Sequence, residues 1–249
     1  MLDIVIPVYN EALNIEKCLN ELALKVKVPF KALVVYDFDE DDTLPVIKNI
    51  KNGYKFSISL IKNNIGKGPL NAIKAGFNAS DGDAVLVSMA DLSDDIKIVD
   101  DMYRLVREGT DIVCGSRYMK GGGQIGGPFI KKNMSKWAGL SLYYITGVPT
   151  HDATNSFKMY SRKIIDNVKI ESDKGFVLGL ELTVKAFLKN YAIKEIPTIW
   201  TDREAGESRF KVMAWLPSYL RWYFIAIIYG IPKRFINFKK IEKQRDQKL

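Results

Sequence analysis

Residues able to recognise a nucleoside come at the ends of the first two apolar, strand-like runs of the chain. A tyrosine ring can stack on a base, and a carboxylate can accept a hydrogen bond from a ribose hydroxyl or a base amine. The candidate residues are Pro7, Tyr9, Glu11, Asp37 and Asp39. A helix N-cap at Asn10 and solvated turn acids after the second run are the structural alternatives.

Groups suited to a diphosphate and a metal ion follow the third and fourth strand-like runs. Lys67 lies in segment 63–68, whose glycines permit close backbone approach while the lysine offers a charge for phosphate. Asp91 lies in segment 89–95, where a carboxylate can hold a hard divalent cation against a departing diphosphate. A plain strand-to-helix turn and a helix-capping acid cluster are the competing interpretations of these two segments.

Alternating strand and helix patterns position these groups. Residues 15, 19 and 22 give one apolar helical face between the first two strands, and residues 98, 102 and 105 repeat that spacing. The alternation predicts consecutive βαβ units and a mostly parallel sheet, with ligands bound beyond the carboxyl ends of the strands. The predicted strands are residues 2–8, 31–36, 56–61, 84–88 and 111–115.

The second half of the chain has a less regular pattern. We predict a glycine-rich loop, then a helix, a strand, a second helix, a second strand and a final loop. In that order these elements are residues 119–130, 131–145, 156–160, 175–188, 192–199 and 201–211.

The C-terminal region, residues 212–235, is aromatic and aliphatic. Pro217 and Arg221 leave residues 222–231 as its uncharged core, and a spanning helix needs about 20 apolar residues. We therefore predict a pair of interfacial helices on an anionic membrane surface, because the aromatic residues suit the headgroup zone and the basic residues in and around this region suit anionic lipid. A buried C-terminal helix packed on the domain is the alternative.

The composition is consistent with anionic partners. The formal net charge is +8, which favours nucleotides, phosphates, acidic lipid or nucleic acid. The two cysteines show no metal-ligand or disulfide spacing, and the first residues enter a strand without a secretory pattern. These features favour the reducing, cytosolic side of a membrane.

The segments after the first four strands resemble, in order and spacing, the donor half of family 2 glycosyltransferases. Their motifs are Pro-x-Tyr-Asn-Glu, an Asp-rich turn, Asn-x-Gly-x-Gly and Asp-x-Asp, except that Met89 replaces the first acid of the last motif. The resemblance implies a GT-A fold and an inverting transfer of a hexose from a nucleotide sugar, assisted by Mg²⁺ or Mn²⁺. Asp91 would be the primary metal ligand, and Ser93, Asp94, Asp95 or additional water would complete the coordination.

Four later segments resemble dolichol-phosphate mannose synthases and their polyprenyl-phosphate relatives, so the similarity runs from residue 2 to about 211. These segments are residues 115–118, 131–135, 151–158 and 202–209. The resemblance implies Asp152, Arg117 and Arg203 at the active centre, with Arg203 also on the donor; for Asp152 a structural hydrogen-bonding role is the alternative. The acceptor phosphate would be bound by Arg117, Lys131, Lys132, Ser135, Ser208, Arg209 and Lys211.

A phosphate acceptor agrees with the charged groups of the chain. A phosphate monoester has a second pKa near 6, so its site needs positive charge more than a general base. The chain has one histidine, His151, which we interpret as a loop residue. The resemblance and the charges together predict a catalytic domain, residues 1–211, and a membrane-interface segment, residues 212–249. The protein would act peripherally at the cytoplasmic face of a membrane, on polyprenyl or dolichyl phosphate.

Two other functions remain open from the sequence. A saccharide or another hydroxyl compound is the alternative acceptor. A basic nucleic-acid-binding protein is the alternative from a different class, favoured by the net charge and the basic, aromatic C-terminus. The acids at the predicted sheet edge argue against it, because a groove that follows a phosphate backbone needs cations there.

Overall fold

The computed structural model of the protein describes residues 1–202 and 212–246, and in the second range the side chains of residues 214–236. The strands are β1 Leu2–Pro7, β2 Phe30–Tyr36, β3 Ser57–Lys62, β4 Ala84–Val87, β5 Ile112–Ser116, β6 Gly123–Ile125, β7 Lys158–Ser161, β8 Ile193–Pro197 and β9 Ile199–Thr201. The helices are α1 Ala12–Lys25, α2 Thr43–Ile50, α3 Pro69–Ala79, α4 Val99–Arg107, α5 Phe129–Ser141, α6 Arg162–Asn167, α7 Leu178–Leu188 and α8 Val212–Asp246. A π-helical turn, Leu142–Thr146, extends α5.

Seven strands form one sheet in the order β3-β2-β1-β4-β7-β5-β8. All neighbouring pairs are parallel except those of β7, which runs antiparallel to both β4 and β5. The five strands predicted in the first half are confirmed, each within one residue at either end. A mostly parallel α/β sheet is therefore the architecture that positions the site.

Both faces of the sheet are covered. Along β1, Ile4 and Ile6 pack in one buried cluster with α1 and α4, while Val5 packs in the other with α3. Successive side chains of a strand point to opposite faces, so a strand covered on both sides is apolar at every position. This burial explains why the strands appear in the sequence as continuous apolar runs.

Two predicted elements of the second half are corrected. The glycine-rich segment 119–130 is not wholly a loop, because it contains β6, and the predicted strand 192–199 is divided into β8 and β9. β6 and β9 pair in parallel as a separate two-stranded sheet. The division falls at Thr198, whose N–H donates to the carbonyl oxygen of Ser116 at 3.1 Å in the main sheet and whose carbonyl oxygen accepts from the N–H of Gly123 at 3.0 Å in the small sheet.

The predicted pair of C-terminal helices is also wrong, since α8 is one continuous helix that contains Pro217 and Pro232. A proline removes one helical hydrogen bond, and packing can compensate for that loss. Trp222 and Ala226 are buried in the main core, and Trp222 Nε1 donates to Ser172 Oγ at 2.9 Å. These contacts hold the middle of α8 against the body of the protein.

The opposite side of α8 exposes large apolar side chains. Leu220, Phe224, Ile228 and Phe235 are each more than 40% exposed. The face that carries Trp222 is buried against the domain, as the alternative interpretation of this region predicted. Contact of the exposed face with a membrane stays a prediction. In the described ranges, 1–202 and 212–246, no helix has an apolar stretch that is long enough to cross a bilayer.

Candidate active site

The loop after β1 is held by the acidic turn after β2. Asp41, which is buried, accepts hydrogen bonds from the backbone N–H of Asn10 with both carboxylate oxygens, at 3.2 and 3.1 Å. Thr43 Oγ1 accepts from the N–H of Glu11 at 2.9 Å. Part of the acidic cluster is thus structural, and the N-cap of α1 is Glu11 rather than Asn10, which has a positive φ of 53°.

The loop that precedes α3 is organised by Asp37. Its Oδ1 accepts from Asn63 Nδ2 at 2.7 Å, and its Oδ2 accepts from the N–H of Gly68 at 2.8 Å. Gly68 has a φ of 107°, a conformation that favours glycine. Lys67 lies between these anchored residues with an exposed side chain, so a lysine ammonium is available at this edge of the sheet.

The turn after β4 brings two carboxylates and a hydroxyl together within four residues. Asp91 is buried, and its Oδ1 accepts from the N–H of Ser93 at 3.1 Å. Asp94 Oδ2 accepts from the N–H of Met89 at 3.2 Å, so a second carboxylate lies beside the residue that replaces the first acid of the motif. Burial and the charge of Asp91 raise the pKa of Asp94 to about 7.

Arg117 and Asp152 form a buried ion pair at the carboxyl end of β5. The guanidinium donates to both carboxylate oxygens, from Nε at 2.7 Å and from Nη2 at 2.9 Å, and the Arg117 backbone N–H donates at 3.1 Å. Burial opposes ionisation of Asp152, but Arg117 outweighs it and holds the pKa of that carboxyl below its ordinary value. Asp152 therefore fixes the orientation of the guanidinium.

The start of α5 lies beside this pair. Tyr118 bonds through its hydroxyl to Ser135 Oγ, and its ring lies 4.9 Å from the Arg117 guanidinium. Lys132 Nζ donates to the carbonyl oxygen of Gln124, in β6, at 3.1 Å. The contacts of Tyr118 and Lys132 bring three of the predicted acceptor residues, Arg117, Lys132 and Ser135, into one region.

A close backbone approach seats α5 on the Asp152 loop. A Cβ added to Gly139 would lie 2.2 Å from the carbonyl oxygen of His151. The His151 ring stacks on Tyr143 at 3.7 Å, and its Nδ1 lies 2.5 Å from Glu195 Oε1. The partners of His151 thus lie in the π-helical turn and in β8, as expected of a structural histidine.

β9, the strand that leads towards the predicted closing loop, ends beside the turn after β4. The N–H of Thr201 donates to the carbonyl oxygen of Ser93 at 3.1 Å. The side chains predicted to close over the substrates lie outside the described residues. They are Arg203, Ser208, Arg209 and Lys211.

The sequence of most of this fold matches one family. Residues 3–169, about two thirds of the chain, match the profile described as "Glycosyl transferase family 2". The chain belongs to glycosyl transferase family 2. The matched residues include the turn after β4 and the Arg117–Asp152 pair.

Two relatives of this family 2 enzyme are similar over most of its length. A dolichol-phosphate mannosyltransferase of Pyrococcus furiosus is 27% identical over 84% of this chain and 58% of that protein. A polyprenol monophosphomannose synthase of Mycolicibacterium smegmatis is 27% identical over 85% of each chain. The family 2 chain therefore spans somewhat more than half the length of the Pyrococcus protein.

Solved structures agree on the fold of the family 2 enzyme. Glucosyl-3-phosphoglycerate synthase from Mycobacterium tuberculosis, in complex with Mn²⁺, UDP and its product, superposes with a TM-score of 0.64 at 16% identity over 93% of this chain and 80% of that chain. TarS from S. aureus, in complex with UDP, gives 0.60 at 18% identity over 92% and 66%. The expected GT-A fold is confirmed by these likenesses.

The remaining predicted donor residues lie at the same sheet edge. Pro7 is the buried last residue of β1, and Tyr9 packs edge-on against Phe38, with ring centroids 5.2 Å apart. Asp39 pairs with Lys62 at the exposed rim. Lys131, which is predicted for the acceptor, lies in the first turn of α5. The roles of these residues in family 2 chemistry stay predictions.

Tyr118 and Asp41 are not among the site residues that the sequence predicts. Tyr118 directly follows the Gly-Ser-Arg motif, and this adjacency is the signal that could have identified it. Asp41 sits in a run of acids, and nothing in such a run separates the one that turns inward from those in solvent. Burial and partners decide that difference, and both come from the tertiary fold.

Tyr118→Phe should weaken acceptor binding while leaving the donor constants unchanged. The variant keeps the ring beside Arg117 but loses the hydroxyl contact with Ser135. A hydrogen bond of this kind contributes about 1 kcal/mol, so the acceptor KM should rise roughly fivefold. Tyr103→Phe, whose hydroxyl donates to Asp83 at the other end of the sheet, is the matched control. If the acceptor KM is the same in both variants, the contact of the Tyr118 hydroxyl with Ser135 has no part in acceptor binding.

Proposed function

We propose that this glycosyltransferase moves a hexose from a nucleotide sugar, GDP-mannose or a UDP-hexose, to a polyprenyl or dolichyl phosphate. The observation that carries the proposal is the oriented Arg117 guanidinium next to the lysine-bearing start of α5. An anionic acceptor needs fixed positive charge, and the two curated relatives are named for mannose transfer to dolichol or polyprenol phosphates.

A divalent ion fits the turn after β4. In the described ranges no three acidic, histidine or cysteine side chains are grouped to hold a metal, and those residues offer only part of a coordination shell. Mg²⁺ is commonly bound by one or two carboxylates together with substrate phosphates. Asp91 and Asp94 supply carboxylates, and the buried Ser93 hydroxyl has no hydrogen-bond partner among the described residues.

Different residues of the chain would hold the metal ion, the donor and the acceptor. Asp91 and Ser93 would hold Mg²⁺ or Mn²⁺, which when bound neutralises charge on the departing diphosphate. Asp37 shapes the loop that presents Lys67 to the donor. Arg117, held by Asp152, would orient an acceptor phosphate oxygen towards the anomeric carbon.

The transfer forms one bond, breaks one bond and requires no general base. An acceptor phosphate oxygen forms the new bond to the anomeric carbon, and the bond to the diphosphate breaks, with the electron pair leaving on the nucleoside diphosphate. Attack from the face opposite the leaving group inverts the configuration. The phosphate is already ionised near neutral pH, so no proton has to be removed from the nucleophile.

Contact with a membrane surface agrees with the apolar side chains left exposed. Phe129 and Trp137 on α5, and Phe224 and Ile228 on α8, are each more than half exposed. Exposed aromatic and aliphatic groups beside lysines suit the headgroup zone of an anionic bilayer. We extend the proposal to peripheral binding at the cytoplasmic face, with residues 1–211 catalytic and residues 212–249 at the interface.

A transfer assay with a panel of acceptors tests the function. GDP-mannose and UDP-glucose, each radiolabelled in the sugar, are incubated with the full chain and Mn²⁺. The acceptors are dolichyl phosphate, citronellyl phosphate, citronellol and free mannose. We expect label in the organic phase with the two phosphates alone. Transfer to citronellol or mannose, without transfer to either phosphate, would instead establish a hydroxyl acceptor.

A further inference from the structure

A fully buried lysine lies beneath the loop that carries Asp152. Lys158 is the first residue of β7, the antiparallel strand between β4 and β5, and its side chain has no exposed surface. Lysine is almost never fully buried without partners, because an ammonium taken out of water loses hydration that polar groups must replace. The partners of Lys158 therefore indicate its purpose.

The ammonium of Lys158 binds the backbone of that loop. Its Nζ donates to the carbonyl oxygens of Ala153, at 3.1 Å, and Asn155. The Asn155 side chain in turn donates to the carbonyl oxygen of Gly115 at 2.9 Å, two residues before Arg117. Lys158 thus ties together the two backbone segments that hold the members of the ion pair.

Lys158 also sets the net charge of the buried cluster. Arg117 and Asp152 neutralise each other, so the second cation leaves one net positive charge on the three side chains. Burial lowers the pKa of Lys158 and the charge of Arg117 adds to that change, while Cys114 and the charge of Asp152 oppose it. A charge is felt more strongly through protein than through water, so a buried cation attracts a nearby anion.

We propose that Lys158 is a positioning residue for the anionic acceptor, acting through the Asp152 loop and the ion pair without touching substrate. It fixes the loop so that both carboxylate oxygens meet Arg117, and its charge keeps the cluster attractive to a phosphate. The inference rests on the proposed function, since it requires a negatively charged acceptor. An apolar side chain would fill the same space with neither effect.

Calorimetric titration of the full chain with citronellyl phosphate, a short isoprenyl phosphate, tests this role in the presence of Mn²⁺ and GDP or UDP. Lys158→Met keeps the side-chain length and removes the charge. The Kd for citronellyl phosphate should rise about tenfold or more, while the Kd for the nucleoside diphosphate changes by less than about threefold. If this variant does not fold, Lys158→Gln, which is also neutral but can still donate to a loop carbonyl, should show the same selective loss.

Met159→Ala separates positioning from general destabilisation. Met159 is the next residue of β7, and it packs in the cluster on the other face of the sheet. This control should lower Tm and leave the citronellyl phosphate Kd unchanged. Equal affinity in Lys158→Met and wild type, or an equal loss in Met159→Ala, overturns the positioning role with the proposed function intact. Wild-type protein that binds GDP or UDP but not citronellyl phosphate overturns the proposed function, and this inference with it.

Discussion

Replacing Asp91 with asparagine should lower sugar transfer by about 100-fold or more while the protein stays folded. The asparagine retains an oxygen that can accept from the Ser93 N–H, so the turn keeps its local geometry. The charge that would hold the metal against the departing diphosphate is lost. Initial rates at saturating donor and acceptor measure this change, with circular dichroism to verify folding.

Asp83→Asn is the control for the Asp91 variant. Asp83 precedes the same strand, β4, at its amino end, where it pairs with the amino terminus and Tyr103. A carboxylate at that end lies away from the carboxyl edge of the sheet, so transfer should stay near the wild-type rate. Wild-type turnover in Asp91→Asn would remove this residue from the predicted metal site.

Asp152→Asn should both destabilise the protein and weaken acceptor binding. Removing one member of a buried ion pair leaves an uncompensated charge, here that of Arg117, and costs about 3–5 kcal/mol. For a chain of this size, that loss lowers Tm by roughly 6–20 °C. The acceptor KM of the folded fraction should rise at least roughly tenfold, because the guanidinium loses its fixed orientation. Thermal unfolding and steady-state kinetics below the new Tm measure the two effects.

Glu181→Gln distinguishes these two effects. Glu181 is also fully buried, and it pairs with Lys185 and accepts from the backbone N–H of Ser172 at 3.0 Å, away from the ion pair. We expect a lower Tm with an unchanged acceptor KM. If Asp152→Asn behaves like Glu181→Gln, Asp152 has the structural role that the sequence left open as the alternative.

The parallel half of the fold could be predicted because its signals are local. Short apolar runs and helix-spaced residues such as Ile15 and Leu19 specify βαβ units without reference to the rest of the chain. The pairing of β6 with β9 depends on two segments more than 70 residues apart and was missed. The sequence also failed to predict that α8 is one continuous helix, because Trp222 is held by contacts with elements that are distant along the chain.

The sequence predicted which residue types form the candidate site, but it did not predict most of the contacts between them. The motifs located Asp91, Arg117 and Asp152, but no pattern indicated that Asp152 accepts hydrogen bonds from both Nε and Nη2 of Arg117. Lys158 lies in a motif as an ordinary lysine, and its burial follows from β7 running antiparallel in the centre of the sheet. These contacts arise from tertiary packing, so the local sequence does not predict them.

The position of a metal ion beside a bound nucleoside diphosphate tests the account most directly. Crystals grown with Mn²⁺ and GDP or UDP, with data collected at the manganese absorption edge, would give an anomalous peak for the ion. We predict that peak within ligand distance of an Asp91 carboxylate oxygen, with the diphosphate on its other side. A diphosphate bound at the same sheet edge with its Mn²⁺ held away from Asp91, or bound elsewhere on the protein, would contradict the account.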